Sequence, residues 1–307
     1  MELPTDIKNL YRHFPLHVAN RKGAKEYPVP QELKSFIDER IKIWEQKVSG
    51  ASPPYTNNPI LAKYRFCNIF RELDRQTIEF HTLLNPLRRN FPLWLLNIFY
   101  ARVIARPETI RAAGLLSFDK EENLKLYKRL VALPRPRFGT PYVFPISVIQ
   151  KSKTPTRELF ITEYLPSVMK KAAQEIERWG KMPVYDGVKK IIPIFGFNFT
   201  FLWTEVLIDA AYQFPDRIDL FKRFPIGPGS MPTFEKLSPA EDPSIFAEKL
   251  ATKGVTTSIT YKGKRLVLSA ENWEGIGCEY RKYKNLSDGK GRKRIYNHLR
   301  PTDLNTI

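Results

Sequence analysis

The chain has 307 residues, 50 Lys and Arg against 32 Asp and Glu, and a formal net charge of +18 at pH 7. Such an excess repels itself in a compact state unless a polyanion offsets it, which points to DNA, RNA or an anionic membrane. With 42% hydrophobic and 13% aromatic residues, a disordered chain is excluded, and the length allows one large domain or two smaller ones.

Two cysteines (Cys67, Cys278) and four histidines show no CxxC or HxxxH spacing. No structural metal site and no cofactor is therefore expected. No leader-like N-terminus and no run of about 18 apolar residues occurs. The longest apolar patch, 91–104, is broken by Asn97 and Arg102. A cytoplasmic protein with no membrane contact and no obligate protein partner is expected.

In chain order, residues 1–30 read as a polar, proline-punctuated arm. Leu33, Phe36, Ile37, Ile41, Trp44 and Val48 fall at helical spacing and predict a helix over Gln31–Val48. Asn58 followed by Pro59 predicts a capped helix running to Glu79. Helices are also predicted over 91–105 and Pro107–Ala113, and from Asp119 to Leu133. The segment 134–139 (PRPRFG) cannot be helical and separates a lobe over 31–133 from a second over 134–307. The second lobe is predicted to carry helices over 157–179 with a break at Pro166, then 186–191 and Thr200–Gln213. A helix over 239–253 capped by Ser238, a small hairpin over 255–269 turning at Lys262 and Gly263, and a helix over 270–283 complete it.

No GxxxxGK[ST], GxGxxG or GxSxG element is present, which argues against a nucleotide-triphosphate enzyme or a serine hydrolase. Residues 185–212 read as helix, tight Pro/Gly turn and helix. Such a turn offers backbone N–H groups to a phosphate, with Gly196, Asn198, Lys189 and Lys190 at its edge. Arg65, Asn68, Arg71, Asp74 and Arg75 repeat at the spacing of one helix face, either as a salt-bridge ladder or as a pocket wall that reads a base edge. Asn272, Glu279 and Lys282 share another face. The run 289–294 (GKGRKR) reads as a phosphate-binding loop or a solvated tail, through Lys290, Arg292, Lys293 and Arg294.

The blocks 64–75 (YRFCNIFRELDR) and 271–283 (ENWEGIGCEYRKY) resemble hallmarks of one family. It is the helical domain associated with 5-hydroxymethyluracil DNA kinases and with thymidine pyrophosphorylases of phage base hypermodification, which itself resembles helix-hairpin-helix DNA glycosylases. The acidic helix around LIDAAY (207–212) and the turn Gly227-Pro228-Gly229 fit that likeness, which spans roughly residues 30–300. The resemblance implies a mostly α, two-lobed fold and a substrate of double-stranded DNA carrying modified bases. By analogy with glycosylases it implies a carboxylate near the sugar, for which Asp209, Asp216 and Asp219 are candidates. Asp209 is favoured because apolar neighbours surround it. The hairpin departs from the glycosylase pattern at Ile194, and Asn198 stands where strand-nicking members carry a lysine. The expectation is a monofunctional glycosylase that flips out and excises a substituted 5-hydroxymethyl pyrimidine, with a role in anti-phage defence. The alternatives are a transferase that modifies an activated 5-hydroxymethyl pyrimidine in place, and a non-catalytic DNA-binding protein.

Overall fold

The computed structural model describes residues 1–19, 27–139, 144 and 146–296. The elements run α1 (Thr5–Leu10), α2 (Phe14–Ala19), α3 (Gln31–Val48), α4 (Pro59–Lys63), α5 (Arg75–Leu84), α6 (Phe91–Ile104), α7 (Pro107–Ala113), α8 (Lys120–Ala132), α9 (Ile146–Ser152) and α10 (Arg157–Leu159). They continue as α11 (Leu165–Glu177), β1 (Met182–Pro183), α12 (Val184–Phe195), α13 (Thr200–Gln213), β2 (Ile218–Asp219), α14 (Met231–Leu237), α15 (Pro243–Thr252), β3 (Thr256–Tyr261), β4 (Lys264–Val267) and α16 (Ala270–Ser287). The fold is mostly α. No single helix among the described residues is long and apolar enough to cross a membrane.

Two compact units interleave along the chain. The first holds Met1–Lys8, Phe14–Asp74 and Leu220–Ile307; the second holds Asn9–His13 and Arg75–Asp219. This partition differs from the expected consecutive lobes meeting at 133/134, because residues 1–8 join residues 220–296 in the first unit. Residues expected as a polar arm carry buried Leu3, Ile7, Tyr11 and Phe14. The N–H of Leu3 donates to Thr260 O, and the N–H of Thr260 donates to Met1 O.

In the first unit, α3 buries Leu33, Phe36, Ile37, Ile41 and Trp44 of the predicted apolar stripe and leaves Val48 half-buried, and α14 and α15 pack on α16. Strands β3 and β4 pair antiparallel as expected. Lys262 and Gly263 take φ of 51° and 73°, the left-handed pair that a two-residue hairpin turn requires. Two sequence expectations change here. The helix predicted from Asn58 to Glu79 stops at Lys63, and only 75–84 returns to α-helix. Phe66, Ile69, Phe70 and Leu73 mimic helical spacing and are buried. Yet the backbone at 63–65 is taken by a distant partner: Arg65 N–H donates to Arg294 O and Tyr296 N–H donates to Lys63 O. The helix predicted over 239–253 begins instead at Pro243, because the Asp242 carboxylate caps Ser244 and Ile245.

In the second unit, α6, α11, α12 and α13 form the core around Trp94, Phe99, Met169, Phe195 and Trp203. The break expected at Pro166 is a single π-turn over Phe160–Tyr164, which precedes the proline and accommodates its missing N–H. α12 and α13 meet at 118° around Gly196, whose φ of 85° ends α12.

Candidate functional site

Asp209, the favoured catalytic candidate, sits on α13 with 0% exposure. Arg102 of α6 grips it at both oxygens, with Nε to Oδ2 and Nη2 to Oδ1 each at 2.5 Å. The Gln213 amide donates to Leu10 O and to His81 Nδ1, so the neutral ring carries its proton on Nε2 and donates it to Asp209 at 3.1 Å. Burial pushes the His81 pKa down. Burial also opposes ionisation of Asp209, but Arg102 and His81 outweigh it and hold the carboxyl well below the usual range. An enclosed carboxylate with both oxygens engaged is a core ion pair; it does not face a sugar. Asp216 is exposed, and its backbone O accepts from Lys181 N–H. Asp219 lies half-buried on β2, opposite Pro183. The structure does not gather the three aspartates into one site.

The α12–α13 corner does present its predicted phosphate-facing residues outward. Lys189, Lys190, Gly196 and Asn198 are all exposed, while Phe195, Phe197 and Phe199 alternate with them into the core. Tyr164 OH donates to Phe195 O at 3.0 Å and fixes the turn.

The residues expected to line a base pocket all fall in the first unit, but not as two helix faces. Arg65 and Asn68 lie in the irregular segment after α4, Arg71 in a 3-10 turn, and Asp74 just before α5. Asn68 N–H donates to Asp74 Oδ1 at 2.9 Å, and the Asn68 amide donates to Leu73 O at 2.8 Å, closing the segment on itself. Glu279, 6% exposed on α16, ties three distant stretches together. Its Oε2 accepts from Cys67 N–H at 3.1 Å and from Lys293 Nζ at 2.7 Å, and its Oε1 from Lys282 Nζ at 2.6 Å. Asn272, in contrast, is used up structurally. It forms a capping box with Ser269 at the start of α16 and donates to Glu271.

Lys293, expected among the phosphate contacts, is drawn inward instead. Its ammonium also stands 4.1 Å from the Phe66 ring centroid. Lys290, Arg292 and Arg294 remain exposed. The segment is not a free tail, because 294–296 pairs with 63–65.

Electrostatics inside the cluster are sharply divided. Burial opposes the charge on Glu279, but Lys293 and Lys282 hold it below the ordinary carboxylate range. Burial pushes Asp74 up to about 6 against the Asn68 N–H, Arg71 and Arg40. Cys67 keeps an exposed edge, yet crowding around the thiol, then Asp74 and Glu279, push its pKa up. With both Glu279 oxygens held by ammonium groups, the cluster is an ion-pair hub, not a metal cradle.

Sequence reasoning missed Arg40, Phe66, Cys67 and Cys278. Arg40, 3% exposed, donates from Nη2 to Phe66 O and Cys67 O, each at 3.0 Å. Its position on the apolar face of α3, between Ile37 and Ile41, was the available signal. At Gly229, a Cβ would meet Cys278 Sγ at 2.7 Å, so the Gly-Pro-Gly turn lies directly on α16. Ser230 Oγ donates to Glu274 Oε1 at 2.8 Å beside it. The segments 64–74, 227–230 and 271–283, far apart in sequence, thus meet in one unit around Cys278 and Glu279.

The model of the family described as 5-hmdU DNA kinase, helical domain, matches residues 28–290. A stretch of 83 residues is 37% identical to a 5-hmdU DNA kinase of Bacillus phage SP10, covering 25% of this chain and 13% of that protein. The match is therefore to a small part of that relative's length. No solved structure matches the chain. The family match takes in the segments 64–74, 227–230 and 271–283 and ends before Lys293, and the chain belongs to the 5-hmdU DNA kinase helical-domain family.

Proposed function

We propose that this chain acts on DNA as a base-modifying transferase, replacing an activated 5-hydroxymethyl substituent of a pyrimidine without removing the base. The observation that carries this reading is the cluster around Glu279: two lysine ammoniums at hydrogen-bond distance of one carboxylate, beside a second carboxylate of near-neutral pKa. In such a substitution a primary amine attacks the 5-methylene carbon and the C–O bond breaks. The electron pair leaves with a phosphate or pyrophosphate oxygen, and the amine gives up a proton. Lys282 and Lys293 suit the departing anion. Asp74, balanced near pH 6, suits acceptance of the proton. Excision needs a carboxylate at the sugar, and Asp209 is sealed by Arg102 and His81.

The test uses duplex DNA with phosphorylated and with pyrophosphorylated 5-hydroxymethyluracil, incubated with primary amines and digested to nucleosides for mass spectrometry. A new 5-aminomethyl-type nucleoside in intact DNA is expected. Free base with an abasic site restores the glycosylase reading. Unchanged DNA, bound but not altered, makes the chain a binding module.

A further inference from the structure

After α16 the chain turns back through Gly289 and Gly291, whose φ values of 69° and 81° few other residues adopt. It then runs antiparallel to the end of α4. Tyr64 pairs with Ile295, bracketed by bonds of 2.9 Å from Arg65 N–H to Arg294 O and from Tyr296 N–H to Lys63 O. The ribbon carries Lys63, Arg65, Lys290, Arg292, Lys293 and Arg294, and no acidic residue occurs within 59–71 or 289–296. Lys293 turns inward to Glu279, while the other five are exposed. Among them stands Ile295, 66% exposed, the most exposed of the large apolar side chains among the described residues. An isoleucine in a wholly basic edge gains nothing from water. Its neighbours would attract a polyanion to its door.

We propose that this ribbon is the edge that engages duplex DNA. Arg65, Lys290 and Arg292 hold backbone phosphates, and Ile295 enters the base stack beside the base delivered to the Lys282–Glu279–Lys293 cluster. Proteins that remove a base from the stack commonly fill or pry the step with an apolar side chain, isoleucine among them. The ribbon has both parts in adjoining residues, and Lys293 joins it to the cluster one residue from Arg292. The inference rests on the proposed action on DNA bases, but its own claim concerns binding and unstacking.

The experiment uses the full chain and a duplex with 2-aminopurine next to 5-hydroxymethyluracil, read by fluorescence and by a salt titration of affinity. Wild type is expected to brighten the probe. Ile295→Ala should lose most of the brightening at saturating protein with an unchanged salt slope, and Ile295→Leu should retain it. The double variant Arg65→Ala/Arg292→Ala should make the log–log salt slope shallower by about 1.8, at about 0.9 per phosphate contact, with brightening regained at saturation. Probe fluorescence that wild type fails to raise, or that Ile295→Ala raises equally, overturns the proposal. So does an unchanged slope in the double variant. Nucleoside analysis of the same DNA reports separately on the chemistry: a protein that unstacks the step and leaves every base unaltered sinks the transferase reading while the ribbon stands.

Discussion

Replacing Asp209 by asparagine keeps the shape of the side chain and removes its charge. The carboxylate accepts two bonds from Arg102 and one from His81, and is fully buried, with Arg102 only 3% exposed. After the substitution Arg102 stays buried and charged with no anion beside it, and an amide N–H₂ faces a donor. Removing one partner of a buried pair costs about 3–5 kcal/mol. Two charge-assisted bonds at about 1.5–3 kcal/mol each give the same size independently. With a urea dependence of about 1–3 kcal/mol per molar, the midpoint should fall by at least about 1 M. Urea unfolding followed by circular dichroism is the assay. The double variant Arg102→Leu/Asp209→Leu, which removes both charges, should recover most of the loss. An Asp209→Asn protein with an unchanged midpoint and no activity would refute this reasoning and return Asp209 to the chemistry.

Three further outcomes are expected. Glu279→Gln should abolish base modification and release the 293–296 segment, read as faster amide exchange at Arg65 and Tyr296, because two ammoniums lose their shared anion. Asp74 has its folded pKa raised to about 6 against about 3.9 in the unfolded chain, so it costs stability progressively as pH rises through that window. Asp74→Asn, which can still accept from Asn68 N–H, should flatten that fall in a pH series of melting temperatures; an unaltered pH profile counts against the buried-acid assignment. Gly229→Ala should be destabilising, since its Cβ would stand 2.7 Å from Cys278 Sγ, and Cys278→Ala should rescue it in a double-mutant cycle.

The fold was partly legible in the sequence, and the site was not, for related reasons. Helices whose signals are local appear where the sequence predicts them: α3 from its apolar stripe, α7 and α8 from Pro107 and the Asp119 cap, and the hairpin from Lys262-Gly263. Asn97 and Arg102 interrupt the apolar run of α6, and Asp209 interrupts that of α13. Each interruption marked a buried polar contact, but which contact depended on pairing the two helices. Asn97 bonds Leu93 O and Leu116 O, and Arg102 takes Asp209. A lone aspartate among apolar residues reads as catalytic until its arginine is found. The cluster was harder still. Glu279 meets Cys67 across 212 residues, and such contacts leave no periodicity. Lys293, within a run of like charges, carried no mark separating it from its solvated neighbours.

The same network sets how the protein should respond to acid. His81 is neutral in the fold because burial pushes its pKa down, so the unfolded chain binds a proton there first, near pH 6.5. A depressed folded pKa gives stability that is full above the unfolded value and lost as pH falls below it. The loss attributable to His81 therefore begins below about pH 6.5, and Asp209 adds its own only below about pH 3.9, where its unfolded carboxyl would protonate. His81→Gln should shift the first of these phases, since a glutamine amide can still donate to Asp209 but takes up no proton. Melting temperatures of wild type and variant should converge on acidification through pH 6 and diverge above it, with wild type the more stable at neutral pH. A variant whose melting temperature tracks wild type in parallel from pH 7 to pH 5 would show that the fold does not depress the His81 pKa, and the assignment of a neutral ring in the fold would be wrong.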